Sequence, residues 1–560
     1  MKDRKHMALG AIGAAFLLLA AASAPAGPWR AGVSGEVPKN VQTKKLQAGT
    51  TAPGKLLRVD RSQAEVTVTG WDKNEIAVEA TVEVGNSDPE FVKEFLDNTT
   101  MTLEPEGAGF VLRLTSPLDR KKGEANIFKK LADAMRSGRW EISYAARIGI
   151  RVPAGQSLEV DNHFGNVAVT GVTGRLELDN ESGRVRVEGC GGELKLNNSF
   201  GAVDVLDFKG GVDVRNESGE VRAERISGRT DLKNSFKDVQ FTKIDGPLTV
   251  TTESGGVKGT DVAGDARITA SFKAIDVRGV RGRLEVRGES SDVTVDAAGK
   301  DVTIDNSFKP VRATNIKGGL RVTSESAAVT AEGIDGDARI ESSFQAITVS
   351  RVKGRLTVVG QSSGVTVSEV GGDAAVKSSF NGISVTGIGG TLNVTAESAK
   401  VVAADIKKDV SITTSFGGVE VRRVGGGLKV EGESSSVLAE DIGGAVGVKN
   451  SFKNVILRRT GGSITVVGES SAVDIGQIKA LPAGSAIEVR TSFNPIQISL
   501  PAGTEVQGTA KTQFGKVRTD FPVYLRESGE VGGQSVSFGT GKAGVTLRLE
   551  TSADITIKKD

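Results

Sequence analysis

The sequence contains very little cysteine, histidine and aromatic residue for its length. Among 560 residues there are one Cys and two His, and aromatic residues make up 4%. A single cysteine excludes an internal disulfide, and so low an aromatic content disfavours a thick globular core. His6 lies in the N-terminal leader, which leaves His163 without the partners that a histidine-based zinc site or catalytic triad needs.

The sequence also lacks an excess of either charge. It carries 71 Lys and Arg against 69 Asp and Glu. A nucleic-acid-binding protein normally shows a clear basic excess, because it has to neutralise phosphates. We therefore expect no nucleic-acid partner.

Residues 1–26 have the pattern of a secretion signal. The stretch "MKDRKHMALGAIGAAFLLLAAASAPAG" begins with basic residues, continues with an apolar centre and ends with small residues. Cleavage is expected after Ala26, where Ala24 and Ala26 form an A-x-A site. An uncleaved membrane anchor is the alternative. No later apolar run is long enough to span a membrane, so we expect an exported protein, at the cell surface or in the periplasm.

Glycine is abundant, with 72 residues, and the chain is periodic. Ser182 lies midway between the first two members of a phenylalanine series, and serine keeps that midway place up to Ser470. The repeat unit is therefore 18 residues, in two alternating kinds. The phenylalanines, each 36 residues after the last, are Phe164, Phe200, Phe236, Phe272, Phe308, Phe344, Phe380, Phe416 and Phe452.

Within each unit the apolar residues alternate with polar ones, as at Val203 and Val205 and again at Val212 and Val214. Period-2 alternation over so few residues predicts short strands with one face inward. Such strands bury their apolar face only if neighbouring units cover them. Coils stacked at ~4.8 Å would do so. The predicted fold is all-β: a long parallel β-solenoid of about eighteen 18-residue coils.

The phenylalanine and serine positions form one column of that solenoid. Rings then recur at every second coil, ~9.6 Å apart. Alternating large and small side chains fill space without voids. We therefore expect each ring to lean inward over the hydroxyl of the next coil, as a packing device.

Two further features have structural interpretations. A glycine column that includes Gly174, Gly210 and Gly246 is expected at a corner where a Cβ would clash or φ must be positive. Cys190 lies in a column of apolar residues, which favours a small buried residue over a nucleophile or ligand.

The flanks differ from the array. We expect a linker at 27–57, an N-terminal β-rich cap at 58–150 with a short helix near 124–138, the repeat array at 151–480, and a C-terminal β cap at 481–560. The period breaks after Phe452, because Phe493 follows it by 41 residues. Terminal segments unlike the repeats would cover the exposed strand edges of a solenoid.

Several phrases together resemble a bacterial family of adhesin-like β-strand-repeat proteins, which are single-stranded β-helices of unknown function. They are "RIGIRVPAGQSLEVDNHFGNVAVTGV", the "ESGxV" and "SFGxV" turns, and the ending "TSFNPIQISLPAG" through "LRLETSADITIKK". The resemblance covers roughly 58–560. It implies a β-solenoid and supplies no catalytic residues.

The main chemical alternative is a carboxylate site. A column of glutamates recurs every two coils, near the carboxylate separation of roughly 6.5–9.5 Å in inverting glycosidases. Nothing distinguishes one pair among so many equivalent acids, and the calcium pattern of nine-residue rolls is absent. The glutamates are Glu181, Glu217, Glu253, Glu289, Glu325, Glu397, Glu433 and Glu469.

We therefore expect no enzyme, cofactor or metal. The favoured function is an exported adhesin-like or cell-envelope interaction protein that contacts glycans or surface proteins at many points. The alternative is a periplasmic scaffold or spacer, and a polysaccharide-degrading β-helix enzyme ranks third.

Overall fold

The computed structural model describes residues 29–31, 40–118, 142–479, 481–528, 532–539 and 544–560. The expected signal at 1–26 and the helix expected near 124–138 lie outside the described residues. The chain divides into two compact units, Met1–Gly183 and Arg184–Asp560.

The described residues of the first unit form two sheets and one helix. The first sheet has the strand order Asn40–Thr50, Ile76–Asn86, Ile142–Pro153, Glu65–Trp71 and Val167–Thr170. The first three strands pair antiparallel, and the last two continue the sheet in parallel from Ile142–Pro153. The short strand Trp29–Ala31 also pairs antiparallel with Ile142–Pro153. The second sheet has the order Thr100–Glu106, Gly109–Thr115, Leu56–Ser62, Ser157–Phe164 and Leu176–Ser182.

The helix Pro89–Asp97 contacts the strands Ile76–Asn86 and Asn40–Thr50. It begins after Asp88, whose carboxylate accepts a hydrogen bond from the Glu90 amide at 2.9 Å. Its buried Phe95 ring lies 5.8 Å from that of Tyr144. The strand Asn40–Thr50 lies in the region expected to be a linker.

The second unit is a parallel β-solenoid with two sheets and one strand per sheet in each coil. Residues 18 apart pair directly, for example Val221 with Val239 and Leu232 with Val250. The inward side chains are mostly Val, Ile, Leu and Ala, and they form the core between the sheets. The predicted fold class, a solenoid of about eighteen coils, is confirmed.

The strands of the second unit follow the 18-residue period up to residue 476. The long strand Val203–Asn216 belongs to both sheets. The first sheet contains Val185–Glu188, Val221–Ile226, Val239–Ile244, Val257–Val262, Ile275–Val280, Val293–Ala298, Val311–Ile316, Val329–Ile334, Ile347–Val352, Val365–Val370, Ile383–Ile388, Val401–Ile406, Val419–Val424, Val437–Ile442, Val455–Thr460, Val473–Gly476, Ile496–Leu500, Val517–Thr519 and Ile555–Lys559. The second contains Gly191–Phe200, Thr230–Asn234, Leu248–Thr252, Ala266–Ala270, Leu284–Gly288, Val302–Asn306, Leu320–Ser324, Ala338–Ser342, Leu356–Gly360, Ala374–Ser378, Leu392–Ala396, Val410–Thr414, Leu428–Gly432, Val446–Asn450, Ile464–Gly468, Ala486–Arg490, Val506–Thr512, Leu525–Ser528, Gln534–Phe538 and Val545–Thr551.

Each first-sheet strand of the array bends at a residue in the left-handed region. Arg225, Ala297 and Asp405 have φ of 56°, 57° and 60°. The bend places two consecutive side chains outward and returns the next, such as Ile226, to the core. A non-glycine residue in this conformation costs roughly 1–2 kcal/mol. The burial of the following apolar side chain offsets that cost.

The predicted glycine corners are present. A Cβ at Gly174, Gly210 or Gly246 would overlap the carbonyl oxygen of the preceding coil. Of the three, only Gly210 also has a positive φ, at 143°. Close approach of the preceding coil is therefore the common reason for glycine in this column. Cys190 is 2% exposed, which confirms its predicted burial.

The turn that leads from each second-sheet strand to the next first-sheet strand is polar on its inside. Asn198 donates to the Oδ1 atom of Asn216 at 2.9 Å, and Asn306 donates to the carbonyl oxygens of Ser291 and Lys309 at 3.0 and 2.7 Å. Other coils place a buried Ser or Thr at the same position, and some place Ala or Gly there. Where the residue is Gly288, the buried Ser291 supplies the hydroxyl instead and donates to the Ala270 carbonyl oxygen at 3.2 Å. The column satisfies backbone carbonyls that the turn would otherwise leave unpaired.

The inward placement predicted for the phenylalanine rings is wrong. The nine predicted rings are between 43% and 64% exposed: Phe164, Phe200, Phe236, Phe272, Phe308, Phe344, Phe380, Phe416 and Phe452. The polar column and the small buried residue after each turn serine, such as Ser291 or Ala327, already fill the inside of the turn. A ring placed there would displace hydrogen-bonding groups and leave carbonyls unpaired.

We expect Gly246→Ala to loosen the solenoid locally by about 1–3 kcal/mol, because the added methyl group overlaps backbone. Hydrogen exchange of the coils around 228–264 measures this, since repeat stability is local. The matched control is Gly447→Ala, whose Cβ would meet no atom within 4 Å. Equal exchange in the two variants would contradict the close-approach explanation.

We expect Phe308→Ala to change the free energy of unfolding by less than about 0.5 kcal/mol, because an exposed ring leaves no cavity. In the same coil, Ile304 is fully buried, and Ile304→Ala should cost about 2–5 kcal/mol. Denaturant unfolding of both variants makes the comparison. If Phe308→Ala lowered the free energy of unfolding as much as Ile304→Ala, the Phe308 ring would have to point inward after all.

Candidate functional site

The exposed rings of the second unit form one ordered line, which we call the phenylalanine edge. It lies at the turns that lead from each second-sheet strand to the next first-sheet strand. Backbone hydrogen bonds run from turn to turn: the Phe236 amide donates to the Glu217 carbonyl at 2.9 Å, and the Ser254 amide to the Ser235 carbonyl at 2.8 Å. The turns are therefore as regularly stacked as the strands. The edge contains Phe200, Phe236, Phe272, Phe308, Phe344, Phe380, Phe416, Phe452, Phe493 and Phe514.

The last two rings continue the alternation of phenylalanine and serine through a change in chain order. Ser552 lies between them, although it comes after both in the sequence. Its amide donates to the Ser492 carbonyl at 2.9 Å, and the Phe514 amide donates to the Ser552 carbonyl at 3.1 Å. This arrangement arises because the strand Val545–Thr551 pairs on one side with Ala486–Arg490 and on the other with Val506–Thr512.

The residues beside the rings alternate as well. A row here means one turn, centred on Phe or on Ser. From Phe200 to Phe493, each phenylalanine row carries a serine directly before the ring, and four carry a lysine directly after it: Lys237, Lys273, Lys309 and Lys453. Each serine row carries an exposed acid or amide before the serine, and a small buried residue after it. The acids and amide are Glu217, Glu253, Glu289, Glu325, Gln361, Glu397, Glu433 and Glu469.

One of these lysines is fixed by an ion pair along the edge. The Nζ atom of Lys273 lies 3.1 Å from Oδ1 of Asp238, two coils earlier. Asp238 Oδ1 also accepts a hydrogen bond from the Gly256 amide at 2.9 Å. That backbone hydrogen bond, with the lysine as a smaller contribution, holds the pKa of Asp238 below its ordinary value. The carboxylate therefore stays ionised and holds the amine beside Phe272.

A shallow cleft lies between the last two rings. Its volume is about 520 Å³, and Phe493 and Phe514 are 72% and 61% exposed on its two sides. Hydroxyl groups line much of it, together with an amine and a carboxylate. The lining residues other than the rings are Thr491, Ser492, Lys511, Thr512, Gln513, Glu550, Thr551 and Ser552.

The residues considered for catalysis do not form a distinguished pair. The glutamates of the second unit lie exposed along the edge and are equivalent from coil to coil. In the first unit, His163 Nδ1 lies 3.1 Å from Glu181 Oε2. Among the described residues, no three His, Cys, Asp or Glu side chains are grouped so that they could hold a metal ion. No helix in the described part of the chain has the length and apolar character to cross a membrane.

Sequence reasoning identified the phenylalanines and missed their role. It also missed Phe493, Phe514 and Ser552 as members of one line. The available signal was the motif itself, since "TSF" at 491–493, "TQF" at 512–514 and "TS" at 551–552 repeat the pattern of the array turns.

Comparisons with known proteins support the fold and give no activity. Residues 55–277 match the model of the family described as Toastrack DUF4097, a domain of unknown function. The searches of curated proteins and of solved structures found no match. The Toastrack match agrees with the expectation of a β-repeat family of unknown function. Toastrack DUF4097 is not a known enzyme family.

Proposed function

We propose that this protein is an exported, non-enzymatic β-solenoid that acts as an adhesin-like, cell-envelope interaction protein. The observation that carries the proposal is the phenylalanine edge. Ten rings, each between 43% and 72% exposed, occupy one column of the second unit. The basic and apolar start of the sequence supports export.

So much exposed ring surface is unusual for a protein that functions alone. A phenylalanine can bury ~150–250 Å², so ten half-exposed rings present on the order of 1,000 Å² of contact surface. Soluble monomers rarely expose contiguous apolar patches larger than a few hundred Å². Large exposed patches with polar neighbours mark interaction sites, and here serine, lysine and glutamate flank the rings.

The regular spacing favours multivalent contact. Each ring alone would bind weakly, but an extended partner that touches several rings gains from each additional contact at high effective concentration. Glycans and envelope or surface proteins both offer such repeated contacts. Growth end to end, as a structural filament would need, is disfavoured by the antiparallel strands Gln534–Phe538 and Leu525–Ser528 at one side of the second unit.

We expect the purified protein to bind isolated cell-envelope material, and the quadruple variant Phe272→Ser, Phe308→Ser, Phe344→Ser, Phe380→Ser to bind at least ~10-fold more weakly. Serine is native to this column, so the fold should tolerate it. The matched control changes the same four residues to Tyr, which keeps the rings. Co-sedimentation with envelope fragments measures both. If the serine variant bound envelope fragments as strongly as wild type, the phenylalanine edge would not be the binding surface.

We expect a protease added to intact cells to cleave the protein, with antibodies against the mature chain as the readout. Cleavage would support contact with partners outside the cell. Protection until the outer membrane is opened would place the interaction in the periplasm and favour the scaffold alternative. Retention with cytoplasmic proteins would contradict export.

A further inference from the structure

The phenylalanine edge has a self-complementary relief. Large rings and small serines alternate row by row, so that successive rings are ~9.6 Å apart, while aromatic pairs prefer centroid separations of about 4.5–7 Å. Rings of one copy are therefore too far apart to pair with each other. A second edge, shifted by one coil, would place its rings over the serines of the first, at ~4.8 Å from ring to ring.

The flanking charges suit this arrangement in either direction. Interdigitation always sets a phenylalanine row against a serine row. The lysines directly follow phenylalanines, whereas the glutamates directly precede serines. With the two copies parallel, Lys309 or Lys453 would face a glutamate. With the copies antiparallel, each lysine would lie over a small residue that is buried in the turn, such as Ser291 or Ala327, where the row carries no charge. In neither direction does a lysine of one copy face a lysine of the other, or a glutamate face a glutamate.

The gap between the last two rings of the edge is a concavity. Between Phe493 and Phe514 it has a volume of about 520 Å³ above Ser552. Such a space admits an aromatic side chain, whose ring would then contact a ring on each side.

The surface available is sufficient for a stable complex. On the order of 1,000 Å² of ring surface lies on each copy. A standard protein–protein interface buries about 800 Å² per partner. Interdigitation along most of the edge would meet that requirement.

We propose that the phenylalanine edge binds a second copy of this chain, edge to edge, with the rings of the two copies alternating. This inference rests on the proposed function, because it names the partner of the same edge: the protein contacts its own kind. Homophilic pairing would join two cells that both display it.

Sedimentation equilibrium of the purified full chain tests the inference, with wild type compared with three variants. We expect a reversible dimer for wild type. The quadruple Phe→Ser variant at 272, 308, 344 and 380 should dissociate more readily by about 100-fold or more. The quadruple Phe→Tyr variant should remain a dimer.

The decisive variant fills the holes instead of removing the rings. Ser290→Phe with Ser326→Phe adds apolar surface but leaves no space for a partner's rings, and phenylalanine is native to this column. We expect it to weaken the dimer. Stronger association would mean unspecific hydrophobic contact and would overturn interdigitation, as would a dimer unaffected by the serine variant.

The two proposals can fail separately. A wild-type protein that stays monomeric at high concentration, yet binds envelope material through its rings, would overturn self-pairing and leave the proposed function standing. If the protein dimerised but did not bind envelope material, pairing between copies would be supported and the proposal that the edge binds other envelope components would be contradicted.

Discussion

Every part of this solenoid depends on the pairing of each residue with the residue one coil away. Backbone hydrogen bonds hold the coils at a fixed separation of ~4.8 Å, in the strands and also in the turns. A side chain is therefore always packed against the occupant of its own column. Small and branched apolar residues satisfy this condition inside. At the glycine corners the backbone approaches so closely that a Cβ does not fit.

The same constraint explains why the repeat is 36 residues and not 18. Within the turn column, a phenylalanine in every coil would set rings ~4.8 Å apart and close the gaps between them, and a serine in every coil would leave the edge featureless. The alternation gives each ring a small neighbour on either side. Below the rings, the buried column of Asn, Ser and Thr binds the turn carbonyls and keeps the rings outside. The polar interior of the turn and its apolar exterior are thus two sides of one arrangement.

The sequence was sufficient to predict the strands, their parallel stacking, the glycine corners and the burial of Cys190, because each depends on a column that repeats. The direction of the rings could not be derived in the same way, since period-2 alternation orients side chains in strands and does not apply in a turn. The left-handed bends were hidden because most residues at the bend, such as Arg225, Ala297 and Asp405, are not glycine, although Gly279, Gly333 and Gly387 occupy the same column. The place of Ser552 between Phe493 and Phe514 was hidden because it depends on pairing between distant segments.

The two-coil alternation also restricts how such a chain can change its length over generations. A duplication or deletion of 18 residues would preserve every strand and corner, yet it would set two phenylalanines or two serines side by side at the junction. A change of 36 residues preserves the strands and the line of rings together. Unequal recombination within the gene should therefore survive selection in steps of two coils, which makes the length of the solenoid adjustable while the line of rings stays in phase.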